Sequence, residues 1–71
     1  MQWFSFMARK FTVVLEKDGS VFTARCLEID LVSQGKTLGA ALDNAREAIG
    51  LYVEQNPKFK PKQVELAVVE V

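Results

Sequence analysis

The chain has no histidine and a single cysteine, Cys26. Without imidazole there is no Ser-His-Asp triad, no Cys-His pair and no histidine general base. One cysteine cannot close an internal disulfide, and with no histidine the usual zinc ligand sets are missing too. Charge of one sign is also lacking, because nine Lys and Arg balance nine Asp and Glu. No global field therefore points to nucleic acid or to an anionic membrane. No apolar run approaches the ~18 residues of a membrane span. The opening Met1-Gln2-Trp3-Phe4-Ser5-Phe6 lacks the basic start, long apolar stretch and small-residue cleavage site of a secretory signal. The expected compartment is the cytoplasm, with no membrane partner.

Seventy-one residues make one small domain. Its 49% apolar content argues for a folded globule over a disordered tail. A chain this short buries little more than its conformational entropy demands. With no disulfide or zinc to add stability, self-association as a homodimer or homotetramer is expected. Met7-Ala8-Arg9-Lys10 reads as a second possible start, so residues 1–8 are taken as an N-terminal extension and 9–71 as the domain.

Phe11, Val13 and Leu15 alternate with Lys10, Thr12 and Glu16, the period of a half-buried strand. Asp18-Gly19 separates this strand from a second, Val21 to Cys26, and predicts a type I′ hairpin turn with positive φ at both central positions. A short third strand is expected over Leu31 to Gln34. Then Leu38, Ala41, Leu42, Ala45, Ala48, Ile49, Tyr52 and Val53 keep the 3–4 spacing of a helix packed on a sheet. Asn56-Pro57 stops that helix. Val64 to Val71 reads as a last strand, apolar on both sides. The expected fold class is α+β, a two-layer β-β-β-α-β sandwich with an antiparallel sheet and one helix. One helix covers one sheet face, so the outer side or an exposed edge is expected to meet another polypeptide. Val69 and Val71 belong to that surface.

The candidate chemical groups are few. Cys26 shares a strand face with Phe22 and Ala24, the setting of a small buried hydrophobe rather than a catalytic thiol. Ser33 has no base nearby in sequence. Gly35-Lys36-Thr37 superficially matches the end of a phosphate-binding loop, but the glycine required five residues earlier is Asp30, whose charge repels phosphate. The plainer reading lets Gly35 permit the turn and makes Thr37 the cap of the first helical turn. Asp18, Glu28 and Asp30 can be drawn as a metal cluster, as solvated charges, or as an acidic rim offered to a basic partner. Lys58, Lys60 and Lys62 around Phe59 form a small basic patch, open to nucleic acid or simply to solvent. No metal or cofactor is expected.

Two stretches resemble a known family. Glu16-Lys17-Asp18-Gly19-Ser20-Val21-Phe22-Thr23-Ala24 is similar to the first hairpin of the HicB-like antitoxins. Leu31-Val32-Ser33-Gln34-Gly35-Lys36-Thr37, followed by Ala40-Ala41-Leu42-Asp43-Asn44-Ala45-Arg46-Glu47-Ala48-Ile49, resembles that family's S-Q-G-x-T loop and E-A-x-x-N-x-x-E-A-I helix. Where many members carry Pro-Asp-Leu-Pro-Gly-Cys, this chain has Cys26-Leu27-Glu28-Ile29-Asp30-Leu31-Val32. The resemblance spans residues 9–71. It implies a partial ribonuclease-H-like fold and a non-catalytic role, binding and neutralising a small HicA-type toxin that cleaves messenger RNA. Full antitoxins of this kind continue into a DNA-binding domain, which the sequence to Val71 does not contain, so no direct DNA binding is expected. The alternative is a stand-alone, self-associating domain with a ligand or scaffold role.

Overall fold

The computed structural model describes residues 10–71; the expected extension over residues 1–8 lies outside them. Three strands and one helix follow in order: β1 (Val13–Asp18), β2 (Val21–Cys26), β3 (Leu31–Gly35) and α1 (Leu38–Gln55). The strands form an antiparallel sheet in the order β1-β2-β3. This is the α+β class, a three-stranded sheet under a single helix.

Alternation fixes the two faces of that sheet. Leu15 pairs with Ala24 and Val13 with Cys26, and Ala24 in turn pairs with Ser33. Val13, Leu15 and Phe22 pack on the buried cluster of Ala24, Ala41 and Ala45. The helix buries Ala41, Ala45 and Ile49, at the i, i+4, i+8 spacing of one stripe. Alanines at the contact let α1 lie close to the sheet. Leu38, expected on the packed stripe, is instead 48% exposed, because it opens the helix ahead of the first buried turn.

The first hairpin differs in register from the expected one. Asp18 pairs with Val21, so the two-residue loop is Gly19-Ser20 and not Asp18-Gly19. Gly19 has φ +67° and Ser20 is not among the positive-φ residues. Glycine alone at the first central position is the pattern of a type II′ turn. The ladder gains a pair by drawing Asp18 into β1.

The last expected strand does not form within the chain: residues 64–71 carry no ladder, and the architecture is β-β-β-α. Leu66, Val68, Val69 and Val71 are 70%, 100%, 79% and 117% exposed. Alternation specifies which faces a strand would present, but a ladder also needs a neighbouring edge. Among the described residues this segment pairs with none of the three strands.

Candidate functional site

Gly35 ends β3, opposite Phe22. A Cβ built on it would lie 2.4 Å from the Ala41 amide nitrogen and 2.7 Å from the Ala40 carbonyl carbon. Its φ is not positive. Glycine is therefore needed for close approach of the helix backbone, rather than for the turn geometry expected of it. Two residues on, Thr37 in extended backbone accepts the Ala40 amide through its hydroxyl at 3.0 Å, satisfying one of the free donors of the first turn. Asn44 of α1 donates to the Gln34 carbonyl at 2.7 Å. The β3–α1 junction is a packing joint, with its glycine filled by helix backbone.

The three candidate acids do not converge. Asp18 stands at the hairpin end of β1, and Glu28 at the opposite end beside Thr12, about 20 Å of strand away. Glu28 accepts from the Thr12 amide and from the Thr12 hydroxyl, both at 2.7 Å, and from the Cys26 thiol at 3.7 Å. With Leu27 donating its amide to the Thr12 carbonyl at 3.0 Å, this carboxylate extends the β1–β2 pairing past the last ladder residue. Partial burial pushes the Glu28 carboxyl up, but hydrogen bonds from Thr12 and its neighbours outweigh it and hold the group below its usual range. Burial pushes the Cys26 thiol up, against smaller opposing hydrogen bonds, so it stays the protonated, packed side chain expected of it.

Asp30 has φ +54°, the left-handed region that aspartate tolerates better than most residues. Its carboxylate is ion-paired with Lys62, whose amide donates to the Glu28 carbonyl at 3.1 Å. Two of the three acids are thus engaged within the fold. Among the described residues, no group of three or more Asp, Glu, Cys or His is placed to hold a metal ion.

Of the basic patch, Lys62 and Phe59 are engaged within the fold, while Lys58 and Lys60 are exposed. Phe59 stacks on Phe11 with centroids 6.3 Å apart and meets Tyr52 edge-on at 5.5 Å, while Asn56 accepts the Phe59 amide at 3.1 Å. These contacts fasten the segment after α1 to both the helix and the start of β1. The sequence offers no signal for this aromatic trio beyond three rings separated by long intervals.

Two open surfaces remain. On the face away from α1, Val14, Arg25 and Val32 form one cross-strand row, and Val32 is 54% exposed. Beside β1 runs an open groove of about 450 Å³, lined by Phe11 and Val13 on the strand side and by Leu42, Arg46, Ile49, Gly50 and Val53 on the helix side. Its lining is apolar with one cation, chemistry suited to a polypeptide side-chain row rather than to a small polar substrate. No helix among the described residues is long and apolar enough to cross a membrane. No protein-family model, curated protein or solved structure matches the chain.

Proposed function

We propose that this protein is a cytoplasmic, non-catalytic antitoxin-like module that binds and neutralises a small, basic HicA-type toxin. The supporting observation is the sheet face away from α1. A lone helix covers the other side, and the Val14-Arg25-Val32 row stands where a partner surface can pack. Such a mixed patch suits a recognition interface, with valines supplying burial and Arg25 and the exposed Asp18 and Glu16 supplying charge complementarity. The partial ribonuclease-H-like arrangement belongs to the same reading, with residues 64–71 becoming the fourth strand once an edge is available to them.

Co-expression with the HicA-type protein of an adjacent reading frame should yield a co-purifying complex and relieve growth arrest. Val32→Asp should weaken binding at least tenfold, about 1.4 kcal/mol, while leaving the melting temperature of the free protein unchanged. A toxin that retains full activity and fails to co-purify would refute the proposal.

A further inference from the structure

We infer that the groove beside β1 is the seat of residues 64–71 from a second copy of this chain, giving a dimer joined by reciprocal exchange of a fourth strand. Among the described residues β1 is an edge of the sheet, with β2 as its strand neighbour, so its outer row of amides and carbonyls can accept another strand. The groove lies along that edge, between Val13 and the α1 residues Leu42, Ile49 and Val53. The segment that fits it is equally well defined. Eight residues from Val64 to Val71 span about 26 Å when extended, against about 20 Å for the six residues of β1. Leu66 and Val68 fall on one side of that strand and Val69 and Val71 on the other, all four exposed. Beside β1, one side would fill the groove and the other would extend the outer face next to Val14. That placement explains why both sides of the segment are apolar.

Charge does not oppose the fit. Arg46, exposed and paired with Asp43 at 3.6 Å, lines the groove, while residues 63–71 carry Glu65 and Glu70 and no cation. The second copy is favoured over the chain's own tail by where that tail lies: its Leu66, Val68, Val69 and Val71 stay exposed instead of filling the groove. Lys62 is held to Glu28 and Asp30, at the loop joining β2 to β3. Exchange between copies leaves both Lys62 contacts intact. The two-fold relation makes the contact self-complementary and closed. It is independent of whether the outer sheet face carries a toxin.

The test is the mass in solution of the full chain at tens of micromolar, by light scattering. A dimer is expected. Leu66→Asp with Val69→Asp, and separately Gly50→Leu, should each weaken dimerisation at least tenfold. Gly50 is suited to the purpose because a Cβ there meets nothing within 4 Å, so leucine blocks the groove without entering the core. Circular dichroism should show both variants folded. Mixing the tail variant with the groove variant should restore a heterodimer, because one sound tail then meets one sound groove. A monomeric wild type, with its tail either cleaved by protease or protected within one chain, would overturn the inference. So would a dimer that survives both variants.

Discussion

Glu28 shows what a single carboxylate does here. Its two oxygens take both donors of Thr12, sixteen residues away, where the β1–β2 ladder would otherwise end in an unpaired amide. Because these bonds favour the ionised form, the group titrates below its ordinary value of 4.5. A depressed folded-state value stabilises the fold above the unfolded-state titration, and that contribution fades as pH falls through the folded value. Glu28→Gln keeps one acceptor and loses the charge, so it should cost about 1 kcal/mol near pH 7, allowing for solvent screening at a partly exposed site. For a domain this size, that is a fall in melting temperature of roughly 4–8 °C. The gap between wild type and variant should hold from pH 7 down to about 4.5 and close below it; a gap indifferent to pH would contradict the assignment. The sequence marks Glu28 only as one of three loop acids. Its role depends on Thr12, and no local pattern links residues so far apart.

At the level of the element, periodicity makes most of the fold legible. Alternation in Val13–Leu15 and Phe22–Cys26 and the 3–4 spacing from Ala41 to Val53 are direct images of sheet and helix faces. What escapes is whatever depends on pairing. The hairpin shifts by one residue because Asp18 joins the ladder, and Val64–Val71 alternates like a strand with no edge against it. Gly35 is the clearest case, since its sequence context signals a turn and the structure shows a contact. Two identical substitutions four residues apart separate these readings. Gly35→Ala must push helix backbone at 2.4 Å and should cost roughly 1–3 kcal/mol, more than the ~1 kcal/mol carried by the Thr37 cap. Gly39→Ala, inside α1 with nothing within 4 Å of the new Cβ, should instead stabilise by about 0.4–1 kcal/mol. Chemical denaturation of the two variants checks both signs; equal effects would mean that backbone freedom, not contact, governs Gly35.

For the whole molecule, the segment after α1 behaves as an arm with a fixed shoulder. Phe59 is wedged between Phe11 and Tyr52, and Lys62 closes onto the β2–β3 loop. Beyond that point the exposed Leu66, Val68, Val69 and Val71 gain nothing from their own domain. The shoulder therefore decides where the apolar arm departs, and its loss should be local before it is global. Phe59→Ala removes two aromatic contacts of about 0.5–1.5 kcal/mol each, together with part of the burial of a half-exposed ring. The expected cost is about 2 kcal/mol. Hydrogen exchange should show the amides of Phe59 and Lys62 opening faster, while those of β2 and β3, held by the sheet and the alanine core, keep their protection. If all amides lost protection together, the aromatic trio would be part of the cooperative core and the arm would have no separate shoulder. A local loss would instead leave the helix side of the groove beside β1 intact while freeing the arm from its fixed starting point, so strand exchange would carry a larger ordering cost. Dimerisation should then weaken even though the helix wall of the groove and residues 64–71 themselves are unchanged.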